Sequence, residues 1–388
     1  MLARAAKAKP QSGKKDNPKS NFDCLPVPAW ASLPGMQKPT DYQYGTEPFA
    51  HQRRVFEATA EREHFAILWE QGCGKTKPVI DTACYLYEAD RIDGTLVVAP
   101  PGVERNWASD ELPTHLHLRL VDRCGWMVWK TASAGTQWHA RRFEALLAYK
   151  HLAWLCISYS AFMSARGKRA VWRFLQRRRT LYVLDESDDI KTPSAKRTRS
   201  ILASGKYAPY RRILTGTPAD KPFDLYSQLR FLDPGVWRRG GLASYAAFKH
   251  HYGVWLTKEE VRRNLGYDPG YDRLLGHKNL EELSETLASY SDRLLKQQVF
   301  DLPPKLYTKR HFDLTPRQRA LYDQLREELE IELRDGRIVD GNLAITRLLR
   351  LQQITCGYLV TDADEPVERC DVRNPRLDAT LHLSLIHI

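Results

Sequence analysis

The sequence contains no Cys-x-x-Cys pair. Its seven cysteines (Cys24, Cys73, Cys84, Cys124, Cys156, Cys356 and Cys370) are scattered and odd in number. That spacing excludes the usual structural zinc frameworks and fits reduced thiols in a cytoplasmic protein. No apolar run approaches the ~20 residues of a transmembrane helix, so no membrane partner is expected. The opening MLARAAKAKPQ is basic but lacks the apolar stretch of a signal peptide. Acidic residues are in deficit, 47 Asp+Glu against 59 Lys+Arg, for a formal charge of +12. The excess suits a polyanion such as nucleic acid, and it also serves plain solubility.

With 388 residues the chain can build two or three domains around a substantial core. Its organising stretch is FAILWEQGCGKT, residues 65–76. Phe65, Ala66, Ile67, Leu68 and Trp69 form an apolar run without turn residues, which predicts a buried parallel strand. Gln71, Gly72, Cys73 and Gly74 make the turn, and Lys75 and Thr76 open a predicted helix to about Asp90. Such an arrangement is a phosphate cradle. Backbone N–H groups and the positive helix end face the anion, Lys75 reaches the β/γ-phosphates, and the Thr76 hydroxyl takes a position on Mg²⁺. The strict pattern puts glycine at position 69; here Trp69 stands there and Gly72 lies further inward. Gly-Lys-Thr also arises from composition alone, so the weight rests on the strand and helix that flank it.

TLYVLDESDDIKTP is the second pillar. Leu181 to Leu184 predict a strand that ends in Asp185 and Glu186. Phosphate hydrolysis needs two carboxylates with different tasks: Asp185 to hold Mg²⁺, and Glu186 to orient and deprotonate the attacking water. Asp188 completes D-E-x-D and can bond toward the next motif, RRILTGTPAD. There Thr215, Gly216 and Thr217 turn tightly after a strand, and their hydroxyls can sense the γ-phosphate or simply make a turn. Further strands are predicted at Leu96–Ala99, Trp126–Trp129 and Trp154–Tyr159. Upstream, a helix entered through Thr46 carries Gln52, which reads either as a contact to the adenine edge or as an exposed helix glutamine. RGKRAVWRFLQRRR, residues 166–179, is a helix with Val171, Trp172, Phe174 and Leu175 on one face and seven basic residues outside it. That patch reads equally as a nucleic-acid contact and as solvated surface.

In the order EQGCGKT, VVAPPGVERNW, DESDDIK, LTGTP, these blocks resemble the first motor lobe of superfamily 2 helicases. They are most similar to the Swi/Snf-type DNA-dependent ATPases, including phage-encoded members. PFDLYSQLRFLDPGVW, LLKQQVFDLPPKLY, LTPRQRALYDQL and ITRLLRLQQITCGYL extend the resemblance to about Leu381. It implies an ATP-hydrolysing translocase on DNA, expected to be double-stranded, acting as a monomer in the cytoplasm (the host's, if phage-encoded). It implies nucleotide roles for Gln52 and for Gly72 to Thr76, catalysis by Lys75, Asp185 and Glu186, and coupling through Thr215 to Thr217. DNA-backbone contacts are implied near Arg105, Asn106, Ser158 and Lys191. Two positions depart from the family: Cys73 replaces a small or apolar residue, and Asp188 stands where histidine is more usual. The rival classes are a binding module with an inactive ATPase site and another P-loop NTPase.

The expected architecture is α/β: a RecA-like three-layer sandwich with a parallel sheet, then a helical protrusion and linker. The expected boundaries are a disordered basic tail at 1–40, the ATP-binding lobe at 41–235, a helical protrusion at 236–304, linker helices at 305–375, and the start of a second lobe at 376–388. The closing LSLIHI reads as a translated sequencing adapter, so the chain is expected to be a fragment without the second lobe's arginine fingers, and of little activity alone.

Overall fold

Seven short runs, most of them largely apolar, pair side by side in one direction to form the central sheet. In the computed structural model, which describes residues 42–238, 240–265, 270–301, 303, 309–334, 341–359, 368–369 and 373–386, the basic tail at 1–40 lies outside the described residues. The strands are β1 (His64–Trp69), β2 (Gly94–Ala99), β3 (Cys124–Trp129), β4 (Leu152–Ser158), β5 (Thr180–Asp185), β6 (Tyr210–Leu214) and β9 (Ser291–Leu294), ordered β3-β4-β2-β5-β6-β1-β9. Every pairing is parallel. A parallel strand covered on both faces needs apolar residues at every position, and β2, β4 and β5 are buried from end to end.

Alternate side chains feed two cores, one on each face. Phe65, Ile67, Trp69, Val97, Trp154 and Val183 pack on the side of α1 (Ala50–Thr59), α2 (Thr76–Glu88), α3 (Val103–Asn106) and α4 (Leu112–His115). Leu68, Val98, Ile157, Tyr182 and Ile213 pack on the side of α5 (Gln137–Leu147), α6 (Tyr159–Met163), α7 (Ala165–Arg177), α8 (Lys196–Gly205), α9 (Leu225–Leu232) and α10 (Tyr245–Tyr252). This is the expected three-layer sandwich.

Three local expectations change. Helix α1 starts at Ala50, not at Thr46, because Pro48 leads into an extended Phe49 (φ −62°, ψ 155°) and the Thr46 hydroxyl is held by His115 Nδ1 at 2.6 Å. On α7 the buried face is Ala170, Val171, Phe174 and Leu175, whereas Trp172 is exposed and meets Tyr207 edge-on at 4.5 Å. The stretch expected as a helical protrusion from 236 to 304 contains α10, α11 (Lys258–Leu265) and α12 (Leu280–Tyr290), with an antiparallel ribbon of β7 (Gly253–Leu256) and β8 (Arg273–His277). Its final part, β9, instead returns as the seventh strand of the main sheet, beside β1. Ser-Asp-Arg-Leu does not look like a buried strand, but Asp292 is neutralised in place. Trp69 Nε1 donates to it at 2.7 Å and Arg54 adds a bidentate pair at 2.9 and 3.0 Å. Trp69, the residue that breaks the strict phosphate-loop pattern, thus anchors the neighbouring strand.

Residues 303–388 form a second compact unit. Helices α13 (Pro316–Arg334) and α14 (Gly341–Thr355) pack together, with Gln318 Nε2 donating to Ile354 O at 3.1 Å. Asn374 caps α15 (Pro375–Ile386) and donates to Cys356 O at 2.7 Å.

Candidate active site

All the motif loops leave the carboxyl ends of the parallel strands, the edge at which open α/β sheets bind ligands. Strands β5, β6 and β1 are adjacent in that order, so the Asp185-Glu186 tip, the LTGTP turn and the phosphate loop stand in a row. Gly72 and Gly74 have φ of +85° and +71°, values open to glycine at little cost. Cys73 N–H closes a turn on Glu70 O at 3.2 Å, whereas the amides of Gly72 and Gly74 have no acceptor among the described residues. Lys75 is 8% exposed, and its Nζ donates to Trp69 O at 3.1 Å, folded across the loop's own entrance. Thr76 opens α2, as expected. Exposed amides at a helix start, with a lysine in reach, fit a polyphosphate, and Thr76 and Asp185 carry oxygens of the kind a hard divalent cation takes.

Gln52 is buried, unlike an ordinary surface glutamine of a helix. Its Oε1 accepts from Phe49 N–H at 2.8 Å and its Nε2 donates to Gly74 O at 2.9 Å. A Cβ at position 74 would stand 2.4 Å from that Nε2, so Gly74 is needed for this approach. Both polar ends of Gln52 are therefore spent on main chain, as a brace under the loop. The aromatic surface beside it is Phe49, 57% exposed and stacked on His51. Lys296, just beyond β9, is a further cation that the sequence reading missed. Its side chain lies 3.0 Å from where a Gly72 Cβ would be, and its N–H donates to Glu70 Oε2 at 2.9 Å.

Asp185 is buried at the tip of β5 with both carboxylate oxygens engaged. Trp107 Nε1 donates to Oδ2 at 2.9 Å and Glu186 N–H to Oδ1 at 3.1 Å. Burial pushes its pKa up, against the pull of the Trp107 bond and of Lys75. Glu186 has left-handed backbone (φ 48°, ψ 64°), a strained state for a non-glycine residue. Trp107 was missed as a site residue. It sits where α3 passes into α4 through a π-helical stretch, Trp107–Glu111, and such insertions recur at functional sites. Arg105 and Asn106 stay exposed on the turn before it, as expected of DNA contacts, while the indole reaches inward to Asp185.

The tie between the acidic tip and the LTGTP turn does not run through Asp188. Among the described residues its carboxylate has no hydrogen bond to that turn, and burial raises its pKa. Ser187 Oγ instead donates to Gln228 Oε1 at 2.6 Å, and Gln228 Nε2 donates to Pro218 O at 2.5 Å. Gln228 is buried on α9, and no sequence motif marked it. A Cβ on Gly216 would come within 3.2 Å of Gln71 N and 3.4 Å of Trp69 O, so the turn lies against the phosphate loop itself. Thr215 is fully buried, its Oγ1 accepting from Thr217 N–H at 3.2 Å; of the two hydroxyls only that of Thr217 is exposed.

Two of the expected DNA contacts have other work. Ser158 is 6% exposed and caps α6 by accepting from Ala161 N–H at 3.2 Å, with Ser160 the exposed hydroxyl beside it. Lys191 pairs with Asp220 at 2.9 Å across the acidic and LTGTP loops. The basic helix also divides. Arg178 is buried and donates to the carbonyls of Asp93, Leu146, Leu147, Tyr149 and His151, while Arg173 pairs with Glu144 and Arg179 with Asp90. Arg166, Lys168, Arg169 and Arg177 remain as exposed cations.

A cradle with a buried acid, a strained glutamate and a threonine turn on adjacent parallel strands has the form of a P-loop nucleotide site. Residues 51–357 match the SNF2-related domain, and the chain belongs to that family. It is 26% identical over 329 residues to the chromatin-remodeling ATPase INO80 of Schizosaccharomyces pombe, covering 81% of this chain and 18% of that protein. To its counterpart in Candida albicans it is 24% identical over 323 residues, 79% of this chain and 21% of that one. The chain thus spans about a fifth of the length of these curated relatives. Among solved structures, the SWI2/SNF2 ATPase core of Sulfolobus solfataricus in complex with dsDNA is 22% identical, with a TM-score of 0.49 over 90% of this chain and 66% of that one. These relatives are fungal and archaeal, and the phage-encoded side of the resemblance gains no support from them.

Proposed function

We propose that this chain is the first motor lobe of an ATP-dependent translocase that moves on double-stranded DNA. The observation that carries the reading is the row of loops itself. Phosphate loop, LTGTP turn and acidic tip stand on β1, β6 and β5, and exposed Arg105 and Asn106 stand on the next strand along, joined to the acidic tip by the Trp107–Asp185 bond. Lys75 and the loop amides would hold the ATP phosphates. Thr76 and Asp185 would hold Mg²⁺, which neutralises charge on the phosphates. Glu186 would take the proton of the attacking water. The relatives' description as chromatin-remodeling ATPases supports ATP as the nucleotide and DNA as the track. A monomeric state and a cytoplasmic site of action accompany the proposal. Cys73, Cys84, Cys124, Cys156 and Cys356 are free thiols, and among the described residues no helix is long and apolar enough to cross a membrane.

The test is phosphate release from ATP by the two-lobed protein with duplex DNA, single-stranded DNA, RNA or no polymer, where duplex DNA should stimulate most. Binding to the duplex should be steep in salt and nearly indifferent to sequence, because Arg105 and the exposed cations of α7 are suited to phosphates. The slope of log K against log salt should be about −0.9 per phosphate contacted. A flat plot would remove the electrostatic basis of the reading.

Trp107→Phe separates the indole bond from the packing, since the phenyl ring fills most of the same buried space. With a fluorescent ATP analogue, the gain in affinity that Mg²⁺ confers should fall by roughly tenfold, the worth of one hydrogen bond to a charged group. Affinity without metal should stay unchanged; an equal loss in both conditions would reduce Trp107 to a packing residue.

A further inference from the structure

The carboxyl rim of the sheet continues past the motif strands to the edge strand, β3, and a cleft of about 310 Å³ opens there. That volume is at the small end of ligand clefts, which run from ~300 to 1,000 Å³, and suits a nucleobase with part of its sugar. Its lining combines three cations, Arg105, Lys130 and Arg142, with two indoles, Trp126 and Trp138, and among the described residues no carboxylate lines it. Trp138 is 62% exposed, a costly state for so large a ring, and the Arg142 guanidinium lies over it at 4.8 Å. Both belong to α5, and Trp138 stands in its first turn, where the helix end favours negative charge.

A second, independent observation concerns His139, which lines the same cleft and is 2% exposed. Its Nε2 accepts from Lys130 N–H at 3.3 Å, so the ring proton sits on Nδ1, and Nδ1 is buried with no hydrogen-bond partner. With Trp129 edge-on to it at 4.6 Å, the closed imidazole serves as a fixed wall of the cleft. Cations beside an exposed indole face together match a nucleotide: phosphate for the cations, a base face for the Trp138 indole.

We propose that this cleft takes one unpaired nucleotide of a DNA strand, its base on Trp138 and its phosphates against Arg105, Lys130 and Arg142. Arg105 belongs both to the cleft and to the turn on which the proposed function places duplex contact, so the strand has a short path from one to the other. The proposal rests on that function only for the choice of DNA as the polymer. Stacking explains the indoles, which duplex phosphates alone would not need.

The probe is a fluorescein-labelled oligo-dT of about ten nucleotides, compared by anisotropy with a blunt duplex, in the absence of ATP. Base–aromatic stacking is worth ~1–3 kcal/mol per base. Trp138→Ala should therefore weaken oligo-dT binding by roughly 5- to 150-fold, Trp138→Phe should restore most of it, and blunt-duplex affinity should change less than about twofold. Trp138 lies on the surface, and an unchanged melting temperature checks that these variants fold. Unchanged oligo-dT binding in Trp138→Ala overturns the proposal, and so does an equal loss on duplex, which would mean that the cleft reads only backbone charge. Lys75→Ala should bind oligo-dT as the parent does. Failure of the ATPase reading with the Trp138 effect intact, or the reverse, thereby tells the two ideas apart.

Discussion

Lys75→Ala should abolish measurable nucleotide binding while leaving the fold in place. Without ligand, Lys75 Nζ rests on Trp69 O at 3.1 Å, almost enclosed by the loop. Its stabilising role there is small, because one neutral carbonyl is a modest partner and that carbonyl stands at the mouth of the loop. An incoming β/γ-phosphate offers the ammonium an opposite charge where the carbonyl offers only a dipole. Each such bond contributes roughly 1.5–3 kcal/mol net, and a lysine bridging two phosphates makes more than one. The expected loss is on the order of 10² to 10³ in affinity for a fluorescent ATP analogue with Mg²⁺, with a melting temperature within a few degrees of the parent. Unchanged affinity would remove the phosphate loop from the site altogether.

Glu186→Gln should do the opposite: keep MgATP and stop its hydrolysis. The residue occupies left-handed backbone at the end of β5, and glutamine has the same shape and the same backbone penalty, so neither the strain nor the loop path changes. What disappears is the group that accepts a proton. General-base contributions are typically 10² to 10⁴ in rate, and phosphate release by the two-lobed protein should fall by about that factor. In the proposal Asp185, oriented by Trp107 and by the Glu186 amide, stays with the metal and leaves the water to Glu186. If Glu186→Gln instead lost binding and kept turnover, the tasks of Asp185 and Glu186 would have to be exchanged.

The phosphate loop, the acidic tip and the strands before them were legible because each couples a local sequence signal to a local structure. An apolar run fully buried in a parallel sheet looks the same in sequence and in space, and glycines at 72 and 74 advertise the backbone they adopt. What stayed hidden depends on partners far along the chain. Asp292 reads as a surface residue until Trp69 and Arg54 arrive from more than 220 positions away to neutralise it. Trp107 follows a plausible DNA-contact turn, but nothing local says that its indole will meet an aspartate 78 residues later. Arg178 counted among surface cations because arginine usually is one; five carbonyls at the base of the sheet claim it instead. Gln228 is an ordinary helix residue by every local measure.

Gln228 also sets a mechanical constraint. Its single amide grips the acidic loop at Ser187 with one end and the LTGTP turn at Pro218 with the other, and the helix that bears it is packed under both. A shift of one loop against the other would bend or break one of those two bonds, since both run to the same side chain. Any displacement imposed on the turn is carried into α9 as a whole. From there it has a stiff outlet, since Tyr226 on the same helix is pinned by its hydroxyl to Ala243 O at 2.6 Å and accepts through its carbonyl from Trp237 Nε1 at 2.9 Å. Contacts thus run unbroken from the nucleotide row through α9 to the aromatic layer around Phe248.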